Sequence, residues 1–211
     1  SHWIKEQFFK GLKISNVDRF TVFYPGVAKI KKFPKNKKNI ILFVGKLNKS
    51  KGYDLFSEAI SKFVSKNKNW KAVAIGSESR RVIKKNIFIT ELGDLPNKSV
   101  LKLMEESKIA IANSRWEEPL GRLPIEAASR GCFPITSSTG GLTETLSDNF
   151  SILPINTADK LLKKIEFLNN NPQKLLKLQK KVFKNFSQGL VFAVKKLDRI
   201  RNVLNTGVIK I

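Results

Sequence analysis

Among 211 residues the chain has one cysteine, one histidine and one methionine. A lone thiol, Cys132, excludes an internal disulfide and fits a reducing compartment. One His with one Cys cannot furnish the four ligands of a structural zinc site, so no metal is expected. No run of about 18 apolar residues occurs, which excludes an ordinary transmembrane helix. Ser1 to Lys13 alternates apolar and charged residues without a hydrophobic segment, so no signal peptide is expected there. Arginine is also scarce, with eight against 32 lysines. Arg is the usual base reader and bidentate phosphate clamp, so its scarcity argues against sequence-specific DNA binding. The interleaved aromatic and Arg pattern of single-strand binders is missing too. Neither GxGxxG nor GxxxxGK[ST] is present, which removes the dinucleotide fingerprint and the P-loop.

What is abundant is positive charge. Forty basic residues against 17 acidic ones give a net charge of +23. Residues 1–38 carry ten basic side chains against two acidic, residues 39–157 seventeen against twelve, and residues 158–211 thirteen against three. The middle of the chain is nearly balanced and the flanks hold most of the excess. Compositional drift towards Lys and Asn, attraction to an anionic membrane surface and nucleic-acid binding are the three readings of that excess. The Arg scarcity weighs against the last.

The hydrophobic pattern becomes regular after residue 38. Before it, Trp3, Ile4, Phe8, Phe9 and Leu12 recur at helical spacing, Phe20 to Tyr24 reads as a strand, and Lys29 to Asn39 reads as a charged loop. Ile40 to Val44 is a continuous apolar run ending at Gly45, as in a strand buried on both faces. A helix is expected over Gly52 to Lys66, then strands at Ala72 to Gly76 and Asn86 to Ile89, a helix to Ser107, and a strand at Ile109 to Ala112. A loop and helix to Arg130 follow, with strands at Phe133 to Thr136 and Phe150 to Leu153. Helices are expected at Thr157 to Asn169, Pro172 to Asn185 and Leu190 to Leu204. Short apolar strands alternating with helices predict an α/β fold, a doubly wound parallel sheet with C-terminal helices. Ligands of such sheets bind at the carboxyl ends of the strands. The Gly45 loop, the Ser114–Gly121 loop and the Ser137–Thr143 loop should therefore face one crevice. The organisation expected is a connector over 1–38, a Rossmann-like domain over 39–186 and a crossing helix with tail over 187–211.

The richest motif is Glu117-Glu118-Pro119-Leu120-Gly121-Arg122-Leu123-Pro124-Ile125-Glu126. Two carboxylates flank a loop that runs into a helix whose N-terminus favours a phosphate. Carboxylates beside an anion site make sense when the anion carries hydroxyls, because they accept hydrogen bonds from sugars. Helix-dipole pairing accounts for Glu117 or Glu118 but not for Glu126, set among Ile125, Ala127 and Ala128. Gly45-Lys46 and Lys51-Gly52 place two ammonium groups at a strand end, where they can embrace a diphosphate. In so lysine-rich a chain that pair by itself is weak evidence. Gly140-Gly141 after a strand permits close backbone approach to a ligand, and Glu144 reads equally well as an acid at a helix N-terminus.

Taken in order, Gly45-Lys46, Lys51-Gly52, Ser114-x-Trp116-Glu117-Glu118-Pro119-Leu120-Gly121, Glu126-Ala127, Gly131 and Gly140-Gly141-Leu142-x-Glu144 resemble the C-terminal, donor-binding half of the group 1 retaining glycosyltransferases, which have the GT-B architecture. The resemblance covers about residues 15–205. It implies transfer of a sugar from a nucleotide diphosphate sugar to a glycan or glycolipid, without a cofactor or a metal. It implies that Glu118 contacts hydroxyls of the transferred sugar and that backbone near Leu120 and Gly121 holds the distal phosphate. Glu126 would take the ribose hydroxyls. Lys46 and Lys51 would neutralise the leaving diphosphate, and Gly45, Gly140, Gly141 and Leu142 would lie against the donor. Lys46 stands where the family often has Arg, and Leu120 where it often has Phe. The family has two Rossmann-like domains, so a missing N-terminal domain is implied as partner. The faces around Trp3, Phe192 and Leu197 would be bared by its absence, and little transfer would be expected without it. A cytoplasmic location, or a peripheral one on the cytoplasmic face of a membrane, goes with this reading. The alternatives are a basic module holding nucleic acid or anionic membrane, and a sugar-nucleotide epimerase or phosphorylase on the same fold.

Overall fold

The computed structural model describes residues 1–13, 20–77, 86–146, 148–187 and 189–206, and the side chains of 191–192 and 203–206 lie outside the described residues. Six strands form one parallel sheet: β1 (Lys38–Val44), β2 (Lys71–Ile75), β3 (Ile89–Glu91), β4 (Ser107–Ala112), β5 (Phe133–Ser137) and β6 (Ile152–Leu153). Their order across the sheet is β3-β2-β1-β4-β5-β6. Strand order reverses between β1 and β4, which pair in parallel from Ile41 against Ile109 to Phe43 against Ile111. That reversal opens a crevice at the carboxyl ends of these two strands.

Both faces of the sheet are covered, and strand alternation sorts the side chains between them. Ile41 and Phe43 of β1 join Ile109 and Ile111 of β4 on one face, against α2 (Tyr53–Lys66), α5 (Ala158–Asn170) and α6 (Pro172–Lys184). Ile40, Leu42 and Ala110 join the other face, with Val100 and Met104 of α3 (Asn97–Glu106) and Leu123 and Ala127 of α4 (Arg122–Ser129). Phe43, Phe56, Phe63 and Phe133 are fully buried. Each contributes roughly 1.5–3 kcal/mol by area, which makes the sheet a rigid platform for its loops. Trp70, at the entry to β2, donates its indole N–H to Asn169 at 2.8 Å and pins the end of α5.

The flanking segments meet across the domain. α1 (His2–Leu12) precedes residues 20–24, which belong to no strand, contrary to the expectation from Phe20 to Tyr24. Alternating apolar residues at that point pair with no neighbouring strand, because the segment runs beside α7 (Leu190–Thr206) instead. Lys196 donates to the Val22 carbonyl at 2.8 Å, and Val27 makes an isolated bridge with Gly189. The third strand also shifts, beginning at Ile89 rather than Asn86. There Asn86 turns the chain, its Oδ1 accepting from the Phe88 amide at 3.0 Å. Leu197 of α7 is exposed, whereas the side chain of Phe192 lies outside the described residues.

Candidate active site

The crevice at the switch point is built from three loops. The first follows β1. Gly45 leaves the sheet, and Lys51 and Gly52 lead into α2, with Gly52 at its N-cap in the left-handed region at φ 74°. A Cβ on Gly52 would collide with the Asn113 carbonyl, so this contact between the first and second loops requires glycine. The second loop follows β4 and carries Asn113 to Gly121, with Gly121 as N-cap of α4. Neither helix has a side-chain cap hydrogen bond, but at the start of α2 the Tyr53 amide donates to the Asn48 carbonyl at 3.0 Å, so it is the N-terminus of α4 that stands open beside the crevice. The third loop follows β5 and coils into a 3-10 turn at Gly140–Thr143.

These loops enclose a cavity of about 230 Å³, lined among others by Gly45, Lys51, Glu118, Gly121, Glu126 and Leu142. Lys51 and Glu118 form an ion pair across it, both side chains partly buried. Glu126 has a buried side chain on α4, where its Oε1 meets Arg122 at 2.9 Å and the Asn97 amide at 3.3 Å. The carboxylate that looks costly among Ile125, Ala127 and Ala128 is thus offset by a cation one turn earlier and by a residue of α3.

Six of the residues expected at a donor site therefore surround one cavity, and the others stand differently. Lys46 lines a neighbouring cavity of about 400 Å³ with Ser77, Asp94 and Leu95. The two cavities share Val44 and Gly45. Gly140 and Gly141 are small for a different reason than an approaching ligand. A Cβ on Gly140 would collide with the backbone of Glu118, and one on Gly141 with the Pro119 carbonyl. The Gly141 amide donates to the Glu118 carbonyl at 2.7 Å, so the third loop clamps the second. Leu120 is half-buried beside that clamp. Glu144 does serve a helix N-terminus, but that of α1: its carboxylate accepts from the His2 and Trp3 amides at 2.7 Å each and from the Tyr24 hydroxyl at 2.5 Å. Burial raises its pKa, and the Tyr24 and amide hydrogen bonds outweigh that and leave it below the usual carboxylate value. The Tyr24 hydroxyl is pushed up to about 12 by burial and by Glu144.

Sequence reasoning missed Arg115, Asn113, Ser50 and Asn156. The Arg115 guanidinium spans Asp54 with bonds of 2.6 and 2.8 Å and reaches the Lys49 carbonyl at 2.7 Å. Its hydrogen bond holds the Asp54 carboxyl below the usual range. The sole signal was that Arg115 is one of only eight arginines. A larger groove of about 580 Å³ opens at the amino-terminal ends of the strands and looks basic. Three of its four lysines are engaged: Lys37 donates to three carbonyls at the end of α3 and start of β4, Lys38 pairs with Glu106, and Lys108 donates to the Asn39 side chain at 2.6 Å. Among the described residues, no group of three His, Cys, Asp or Glu side chains could hold a metal, and no helix is long and apolar enough to cross a membrane.

A parallel sheet in this order, with two loops facing across its switch point, defines a Rossmann-like domain. The family model for Glycosyl transferases group 1 matches residues 28–185, and the chain belongs to that family. It is 30% identical over 122 residues to granule-bound starch synthase 1 of Pisum sativum, covering 53% of this chain and 19% of that protein. It is 28% identical over 160 residues to an uncharacterized 42.6 kDa protein in the cps region of Klebsiella pneumoniae, covering 68% of this chain and 38% of that one. The fold matches a glycosyltransferase from Rickettsia africae with a TM-score of 0.77 at 23% identity, covering 97% of this chain and 62% of that one. It also matches the pneumococcal O-GlcNAc transferase GtfA, solved with UDP and GlcNAc, with a TM-score of 0.75 at 14% identity, covering 97% of this chain and 44% of that one. The chain thus spans about a fifth to two fifths of the length of these two curated relatives.

Proposed function

We propose that this chain is the donor-binding part of a glycosyltransferase that moves a sugar from a nucleotide diphosphate sugar, with retention at the anomeric carbon, to a glycan or glycolipid. The observation that carries this reading is the Lys51–Glu118 pair facing across one cavity beside the open N-terminus of α4. The base takes the cavity beside Asp94 and Leu95, and the diphosphate crosses Gly45, one of the two residues both cavities share. Lys46 stands on one side of that crossing and Lys51 on the other. Glu126 is tied through Asn97 to the start of α3 and accepts ribose hydroxyls where the two cavities meet. Glu118 accepts hydroxyls of the transferred sugar. In the transfer, the bond between the anomeric carbon and the distal phosphate oxygen breaks, the acceptor oxygen takes the carbon, and its proton leaves with the diphosphate. Lys51 and the α4 amides stabilise the charge that develops on that oxygen.

A separate N-terminal domain would supply most of the acceptor site, so the chain by itself binds donor and transfers little. Titration calorimetry of this chain with UDP, GDP and ADP, and with UDP-glucose, GDP-mannose and ADP-glucose, tests the reading. One base series should bind, with the sugar conjugate tighter than its diphosphate. Absence of heat with all six ligands would end it.

A further inference from the structure

Two asparagines at the foot of the crevice add side-chain hydrogen bonds to the carbonyls of its loops. The Gly52 carbonyl already accepts from the Phe56 amide at 3.0 Å as α2 begins, and it takes a second bond from the Asn113 side-chain amide at 2.9 Å. The Ser114 carbonyl already accepts from the Ser137 hydroxyl at 2.7 Å and the Thr139 hydroxyl at 3.0 Å, and it takes a third from the Asn156 amide at 3.2 Å. The same amide reaches the Asn113 carbonyl at 2.8 Å. Asn113 is fully buried, and its Oδ1 has no hydrogen-bond partner. A buried acceptor left unmet costs about 1–3 kcal/mol. Satisfaction of the backbone does not account for the bonds to Gly52 and Ser114, whose carbonyls are served without them, whereas the Asn113 carbonyl takes its hydrogen bond from Asn156. Their geometric effect is specific. Asn113 joins the loop after β1, which carries Lys51, to the loop after β4, which carries Glu118, and Asn156 fastens the latter to the loop after β6.

We propose that Asn113 and Asn156 are positioning residues that hold Lys51 and Glu118 at a preset span, and that this span is what recognises the sugar of the donor. The assignment rests on the donor-site reading above. Neither asparagine touches the cavity that takes the sugar, so each acts through the loops. The bonds from Asn113 and Asn156 complement those from the Arg115 and Trp116 amides to the Ser50 carbonyl at 2.9 and 3.0 Å, which hold the other flank of Lys51. Loosening Asn156 lets Glu118 drift from Lys51 while the diphosphate still meets Lys51, Lys46 and the α4 N-terminus. A loss of this kind separates two affinities that a merely structural defect would lower together.

The test is calorimetry on the whole chain with the best-binding nucleoside diphosphate of the UDP, GDP and ADP set and with its sugar conjugate. Asn156→Asp keeps the shape but removes both donated bonds and sets a carboxylate against two carbonyls. Thr139→Val, milder and nearly isosteric, removes one bond to the Ser114 carbonyl and stands in should Asn156→Asp fail to fold. In Asn156→Asp, affinity for the diphosphate should change less than threefold while the sugar conjugate loses its advantage, by tenfold or more. Thr139→Val should shift the same ratio in the same direction by a smaller factor. Parallel weakening of both ligands, or a lowered melting temperature with the ratio intact, would overturn the assignment and leave the donor site standing. A wild-type chain that binds no nucleotide would overturn both.

Discussion

Glu118 and Glu126 are both carboxylates on the rim of one cavity, yet their surroundings differ. Glu118 is partly buried and faces a single ammonium, Lys51, across the cavity, whereas Glu126 is buried against Arg122 of its own helix and Asn97 of α3. The first suits a contact that forms with the sugar and adjusts as the bond breaks, and the second suits a fixed hold on a ribose. Glu126→Ala should therefore weaken nucleoside diphosphate and sugar nucleotide alike. The factor is about 10 to 100, the worth of a charged hydrogen bond at 1.5–3 kcal/mol. Glu118→Gln should leave the diphosphate within about twofold and weaken the sugar conjugate by tenfold, a change that remains within hydrogen-bond magnitudes. Calorimetry on the two variants separates the roles, and the reverse pattern would exchange them.

At the scale of elements, the loops matter more than the helices they join. Gly52 is the point where the first and second loops touch, and its left-handed backbone gives two reasons to resist substitution. Gly52→Ala should cost more than the ~1 kcal/mol ordinarily ascribed to glycine conformations, because the added Cβ meets a backbone carbonyl that is itself hydrogen-bonded. Denaturant unfolding reads the loss, and a variant as stable as wild type would contradict the contact. The clamp on α1 is electrostatic. Since Glu144 is held below its ordinary 4.5, its contribution is present above that pH and is lost as pH falls through the folded-state value. Tyr24 has the opposite sign: its contribution is present below 10 and is lost as pH rises through about 12. Glu144→Gln should cost about 1–2 kcal/mol, in line with charge-assisted hydrogen bonds. It should raise hydrogen exchange over residues 2–12 at neutral pH. Unchanged exchange would mean that α1 is held by something else.

For the whole molecule, the charge and the single thiol give independent handles. A field from +23 should steer a diphosphate towards the crevice, so the association rate of the nucleotide should fall tenfold or more between about 20 mM and 0.5 M salt. Stopped-flow fluorescence measures it, and a salt-independent rate would show that the excess lysines lie too far from the site to matter. Cys132 is fully buried, and burial pushes its thiol up to about 12 despite the nearby Lys37 ammonium. Its labelling by a thiol reagent at pH 8 should proceed at the rate of global opening and accelerate in step with added denaturant. Rapid labelling in native buffer would place the start of β5 among the loosest parts of the fold.

Much of this was legible in the order of residues, because buried parallel strands read as unbroken apolar runs and amphipathic helices repeat near every fourth residue. Ile40 to Val44, Phe133 to Thr136 and the α5 stripe of Leu161, Ile165 and Leu168 are local patterns, and local patterns survive in one dimension. So did the carboxylate spacing of Glu118 and Glu126, since both lie on one loop and helix. The strand proposed at Phe20 to Tyr24 failed because alternation supplies a face but not a partner, and the partner there is a helix from the far end of the chain. Only the folded molecule decided that Lys51 meets Glu118 while Lys46 turns to the next cavity, and that Gly140 and Gly141 make room for backbone. It alone showed that Asn113 and Asn156 brace the loops. Those outcomes depend on contacts between residues tens of positions apart, whose geometry is set by sheet register and packing and leaves no periodic trace in the sequence.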